Sequence, residues 1–109
     1  MANTFKLKTK ANVGVTTVGI YTAPAATTTV VIGITLSNTS GSGVNVGVGI
    51  TRAGTTEDVK LLKNAPIPQG SSLEFMGGNK VVLETNDQIN VDSDTNNSVD
   101  AALTIMDIT

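Results

Sequence analysis

Apolar and polar positions alternate along most of this chain with a period of two, the repeat of a strand whose side chains point to opposite faces. Residues 29–37 are the clearest case: Val30, Ile32, Ile34 and Leu36 form one set, and Val31, Gly33 and Thr35 the other. A polar run, Asn38-Thr39-Ser40-Gly41-Ser42-Gly43, follows, and then Val44, Val46, Val48 and Ile50 alternate with Asn45, Gly47, Gly49 and Thr51. Two alternating runs joined by a short glycine-rich loop predict an antiparallel hairpin. The face carrying Gly47 and Gly49 has no side chains, so a strand or loop of the same chain, or a neighbouring subunit, is expected to approach it closely.

The remaining segments read as further strands. Residues 4–9 set Phe5 and Leu7 against Lys6 and Lys8, so residues 1–10 are an N-terminal strand or extended arm and residues 11–109 the domain proper. Residues 13–21 are extended, with Gly14 and Gly19 marking a bulge or bend, and Pro24 breaks the ladder. Residues 57–63 extend through Val59, Leu61 and Leu62; seven residues are short for a stable helix. Pro66-Ile67-Pro68-Gln69-Gly70 reads as a corner, and residues 72–75 and 80–83 flank Met76-Gly77-Gly78-Asn79 as a second hairpin. Residues 88–91 and 98–108 follow, the latter with Val99, Ala101, Leu103 and Ile105 alternating. Seven or eight short strands at roughly ten-residue spacing predict an all-β fold, a single-domain antiparallel β-sandwich of jelly-roll or Ig-like type. Each strand has one apolar face, and one such sheet needs a second to cover it.

Composition narrows the chemistry. A length of 109 residues fits one domain, able to bury roughly 65% of its unfolded surface. The absence of Cys and His removes disulfides, thiolate zinc sites, cysteine nucleophiles and the commonest catalytic base. Charged residues make up 15% and aromatics 3%, so the core must come from Val, Ile, Leu and Ala. A formal charge of −2 and a single arginine, Arg52, speak against a nucleic-acid surface. Lys6, Lys8 and Lys10 read as solvated lysines guarding an edge strand, or as a basic arm for an acidic partner. No segment reaches the ~18 apolar residues of a membrane span. The opening Met-Ala-Asn-Thr-Phe-Lys lacks the apolar run of a secretion signal, so the sequons at Asn38 and Asn96 read as turns and the protein is expected to be used or assembled in a cytoplasm.

No catalytic template fits. Asp92-Ser93-Asp94-Thr95-Asn96 resembles the start of a calcium loop, making Asp92, Asp94 and Asn96 weak metal candidates. Asn97 and Leu103, however, stand where an EF-hand needs Gly and Glu. Glu57, Asp58, Glu74, Glu84 and Asp87 fall at strand ends or turns with no aromatic platform for a sugar, and Ser71 and Ser72 lie in no nucleophile motif. The glycines form neither a dinucleotide nor a P-loop signature. No catalytic residue and no cofactor is therefore assigned. The three aromatics, Phe5, Tyr21 and Phe75, are expected to be structural in a core with so few large side chains, with Phe5 as an anchor on a neighbouring subunit the alternative.

The order of these signals is itself informative. Ile20-Tyr21-Thr22-Ala23-Pro24-Ala25 leads into Thr28-Thr29-Val30-Val31-Ile32-Gly33-Ile34-Thr35-Leu36-Ser37-Asn38. Pro66-Ile67-Pro68-Gln69-Gly70-Ser71-Ser72-Leu73, Gly77-Gly78-Asn79-Lys80-Val81-Val82-Leu83 and Ser98-Val99-Asp100-Ala101 follow. Over nearly the whole chain this resembles the small virion structural proteins of tailed bacteriophages, cyanophages in particular. The resemblance implies a virion component assembled in the host bacterial cytoplasm: a capsid decoration (cement) protein on the major capsid protein, or a neck, tail, baseplate or fibre accessory. It further implies a homo-oligomer, a trimer by preference, and carries over no individual functional residue. On that reading Phe5, Lys6, Leu7, Lys8, Gly47 and Gly49 are the candidate subunit or capsid contacts. A host-surface carbohydrate- or metal-binding module is the expectation from another class.

Overall fold

The computed structural model describes residues 2–54, 57–75 and 80–109, which form nine strands. These are β1 (Asn3–Val13), β2 (Val18–Thr22), β3 (Thr28–Asn38), β4 (Val44–Thr51), β5 (Asp58–Ile67), β6 (Ser72–Phe75), β7 (Val81–Leu83), β8 (Gln88–Ser93) and β9 (Val99–Ile108). The first sheet has the order β1-β9-β3-β6, with β7 also on β3; the second has the order β2-β8-β4-β5. Every pairing is antiparallel. Ile34 pairs with Phe75 and Val31 with Val81, so β6 and β7 lie end to end along β3 as one interrupted edge strand. Counted that way, two four-stranded sheets remain. Apart from β4 to β5, each step along the chain crosses from one sheet to the other. That is the strand order of a jelly roll, which resolves the expected sandwich into one of its two types.

Both expected hairpins are therefore corrected. β3 and β4 are consecutive but lie in different sheets, and β6 and β7 pair with β3 rather than with each other; the expected turn at residues 76–79 lies outside the described residues. Alternation specifies that one face of a strand is buried, but leaves open whether the next strand lies beside it or across the core. The connection at residues 39–43 arches between the sheets, and Asn38 holds it. Its buried amide donates to the carbonyls of Ser42 (2.8 Å) and Ile67 (2.9 Å), and its Oδ1 accepts from the Ser40 amide (2.9 Å).

Bulges adjust the faces. Between Val31 and Gly33 the register with β9 slips by one, which inserts Ile32. The buried set in β3 is consequently Thr29, Val31, Ile34 and Leu36 rather than the expected Val30, Ile32, Ile34 and Leu36. β1 and β5 have similar irregularities at Asn12 (φ 59°) and Asn64 (φ 54°), where asparagine tolerates the left-handed backbone. β5 also runs on through Pro66, two residues into the expected corner. It is an edge strand, where a missing N–H can face outward.

The core between the sheets is aliphatic. Val31, Ile34, Leu36, Leu103 and Ile105 from the first sheet meet Val46, Val48, Ile67, Ile89 and Val91 from the second, with Tyr21 and Phe75 packed at its margins.

Candidate functional site

β1 positions the residues singled out at the N-terminus. It pairs with β9 so that Lys6 stands opposite Ile105, Lys8 opposite Leu103, Phe5 opposite Met106 and Leu7 opposite Thr104. Paired residues share a face, and Leu103 and Ile105 face the core. Lys6 and Lys8 therefore turn inward, while Phe5 (69% exposed) and Leu7 (66%) stand out to solvent. The expectation of solvated lysines holds for the exposed Lys10, whereas Lys6 and Lys8 are half-buried. Their aliphatic stems run along the rim of the core and only the head groups seek polar partners.

Those partners form a latch between the sheets. Lys6 Nζ lies 3.0 Å from Oδ2 of the buried Asp107, and Lys8 Nζ lies 5.4 Å from the centre of the Tyr21 ring. The Tyr21 hydroxyl donates to Asp107 Oδ2 (2.5 Å) and the Thr29 hydroxyl to Oδ1 (2.6 Å). One carboxylate thus joins β1, β3 and β9 of the first sheet to β2 of the second. Burial pushes the Asp107 carboxyl up, but the hydrogen bonds from Thr29, Tyr21 and Lys6 outweigh it and hold it below the usual carboxylate range. Burial, then the bond to Asp107, raises the Tyr21 phenol, and the Asp107 hydrogen bond raises Lys6. Every polar atom of Asp107 is used in holding the fold. The sequence signal for this site is the inward series Val99, Ala101, Leu103, Ile105, whose next member is an acid, Asp107.

A second cluster closes one end. Asp87 accepts from the amides of Ala53 (3.1 Å) and Glu84 (3.0 Å), and Arg52 Nε lies 3.0 Å from its Oδ2 as an ion pair off the line of a hydrogen bond. Burial again pushes Asp87 up, and the two amides and Arg52 bring it below the usual range. Arg52 also reaches Glu84.

The outer faces of the two sheets differ. On the second, Gly47 and Gly49 are covered by the chain itself. A Cβ on Gly47 would sit 2.6 Å from Asp92 Oδ1 and 3.3 Å from the Leu62 carbonyl oxygen; one on Gly49 would sit 3.0 Å from the Val59 carbonyl oxygen. That face is polar: Asp92 accepts from Thr17 (3.1 Å) and lies 3.8 Å from Lys60, and Asn90 donates to Thr51 (3.1 Å). The metal candidates do not converge. Asp94 accepts from the Asn45 amide (3.1 Å) and Asn96 packs on Gly14, and among the described residues no three Asp, Glu, His or Cys side chains form a cluster able to hold a metal. Ser71 and Ser72 lie at the start of β6, where the Ser71 carbonyl accepts from the Asn38 amide (2.9 Å).

On the first sheet a cross-strand row of apolar side chains faces outward: Phe5, Met106, Val30 and Val82, the last 54% exposed. The next row is Leu7, Thr104 and Gly33. Beyond it lie small side chains, with Thr9, Ala102 and Thr35 in one row. Together with the charged Lys10, Asp100 and Glu74 they line two shallow clefts of about 250 and 450 Å³ on that face.

Solved structures share this fold. No family model matches the chain, and no curated protein matches it by sequence. A chain of the cyanophage Pam1 capsid asymmetric unit superposes with a TM-score of 0.57 at 17% identity, over 95% of this chain and 85% of that one. A chain of the T13 IBDV viral particle gives 0.57 at 14% identity, over 96% of this chain but only 30% of that one. A chain of the Bacillus endospore appendages, described as disulfide-linked pili, also gives 0.57, at 13% identity over 99% and 87%. Identities this low speak for the fold alone.

Proposed function

We propose that this protein is a non-enzymatic structural component of a bacteriophage virion, a capsid decoration protein that bridges neighbouring shell subunits. The observation that carries the proposal is the strand order: two four-stranded jelly-roll sheets span the chain, an architecture used by viral capsid domains. The likeness to a chain of the cyanophage Pam1 capsid over most of both lengths supports it. The likeness to a pilus chain supports a repeated, assembling subunit in general. A disulfide-linked assembly is closed to a chain with no Cys.

By this reading the protein binds the assembled shell and not its free subunits, and so stabilises the particle by mass action. Assembly takes place in the host bacterial cytoplasm. Sugar recognition, another use of jelly rolls, finds little support: Tyr21 and Phe75 pack against the core, leaving Phe5 as the exposed aromatic.

Quantitative mass spectrometry of purified particles tests the proposal. Hundreds of copies per particle are expected for a shell component. A few to a few dozen would move the protein to the neck, tail or fibre, and its absence from particles would overturn the virion role.

A further inference from the structure

A sandwich normally presents polar side chains on both outer faces, in alternation with the buried ones. The second sheet obeys this through Asn45, Asn90, Asp92 and Lys60. The first does not. Its outer face carries the row Phe5–Met106–Val30–Val82, with Leu7 beside it and Gly33, Thr35, Ala102 and Thr104 beyond. Phe5, Leu7 and Val82 are each more than half exposed.

We propose that a second copy of this chain packs on this face, sheet against sheet, about a twofold axis lying across the strands near the Leu7–Thr104–Gly33 row. Three observations select that occupant. The first is shape. The face is a ridge at one end of the strands, built from Phe5, Met106, Val30 and Val82, and a trough of small side chains at the other, holding the two clefts. A twofold across the strands lays the ridge of each copy over the trough of its partner, the self-match that an isologous contact requires. The second is charge. The middle of the face, Val30, Gly33, Thr35, Ala102, Thr104 and Met106 of β3 and β9, is uncharged; the acids that face the same way, Asp100 near the start of β9 and Glu74 on the edge strand β6, lie at its margin, where a contact carries its polar rim. The third is area. Four strands up to 11 residues long, about 4.8 Å apart and rising about 3.3 Å per residue, span on the order of 700 Å², close to the roughly 800 Å² per partner of a standard interface.

Pairing through the open edge of β1 is the competing way to join two copies, and it is disfavoured. An antiparallel β1–β1 ladder centred on Lys8 would set Lys8 against Lys8 and Lys6 against Lys10, with like charges directly opposed. The inference does not depend on the virion reading, because it concerns the free protein. Particle copy number and self-association can each fail without the other.

Sedimentation velocity of the full chain across 1–200 µM is the test. A dimer is expected, and Phe5→Glu should weaken it at least about 30-fold, as replacing an apolar interface anchor by a charge does. Val82→Glu, at the other end of the ridge, is the second variant should Phe5→Glu fail to fold by circular dichroism. Lys60→Glu, on the opposite outer face, should leave association unchanged. Because the chain has no Cys, Thr104→Cys near the axis should cross-link to its own copy with a short bis-maleimide, whereas Thr17→Cys should not. A monomer at 200 µM, a trimer, or a dimer indifferent to both glutamate variants would overturn the proposal.

Discussion

Asp107 stands where the inward series of β9 calls for an apolar side chain, and its neighbours make that position tolerable. A buried carboxylate needs hydrogen-bond donors or it is strongly destabilising; Thr29, Tyr21 and Lys6 supply them. Replacing one donor leaves a charge short of a partner, so Thr29→Val and Tyr21→Phe are each expected to cost about 1.5–3 kcal/mol, read as a lower urea midpoint. A loss under about 0.5 kcal/mol for both would mean that the latch holds nothing. The pH dependence follows from the same residues. Asp107 and Asp87 titrate below their ordinary value when folded, so the unfolded chain takes up protons first as pH falls. Their contribution is present above about pH 4 and is lost below it. The melting temperature should therefore fall between pH 4.5 and 2.5, less steeply in Asp107→Asn. Lys6 and Tyr21, both raised, act in the opposite sense, and their contribution disappears as pH rises through their folded values, above about pH 10. Ala26 is a different case: it holds φ 54° without the tolerance of asparagine, and Ala26→Gly should stabilise by up to about 1 kcal/mol. At this scale the sequence reveals residue types but not which way β1 faces. Lys6 and Lys8 read as solvated side chains until the register with β9 turns them inward and leaves Phe5 and Leu7 outside.

At the scale of elements, most strands were legible because period-two alternation is a local property. Pairing was not, because it is set by partners distant in sequence. β3 and β4 look like a hairpin by every local sign, yet they do not pair: β3 lies between β9 and the β6–β7 line, and β4 between the distant β8 and the next strand, β5. The inserted Ile32 is hidden for the same reason, since a bulge exists only relative to a partner strand. The glycines of β4 were more readable. The expectation that something approaches Gly47 and Gly49 closely is met by the chain's own carbonyls and by Asp92 and Asn90. Gly49→Ala would force its Cβ to within 3.0 Å of the Val59 carbonyl oxygen, a backbone atom that can move only if β5 shifts. A loss of about 1–3 kcal/mol is expected by chemical denaturation. Gly41→Ala, with nothing within 4 Å of its Cβ, should stay within about 0.5 kcal/mol of the parent. Equal effects at the two positions would refute this account of why β4 carries glycine.

For the whole molecule, the decisive contact joins the two ends of the chain. β1 and β9 pair along their lengths, and Ala2 and Thr109 exchange backbone hydrogen bonds (Ala2 N to Thr109 O 3.2 Å, Thr109 N to Ala2 O 3.0 Å). The expected division into a residue 1–10 arm and a residue 11–109 sandwich can therefore be put to a direct test. An arm is dispensable to the fold that carries it; a strand that covers one side of β9 and brings Lys6 to Asp107 is not. Deleting residues 2–10 would leave β9 as a sheet edge, uncover the flanks of Leu103 and Ile105 at the core, and strip Asp107 of its cation. We expect such a chain either to lose cooperative unfolding or to melt more than about 10 °C lower than the parent, since a few kcal/mol moves a domain of this size by that much. A truncated protein melting within 2–3 °C of the parent would make β1 a true arm. It would also remove Phe5 and Leu7 from any rigid outer face, and with them the β1 end of the ridge on which self-association depends.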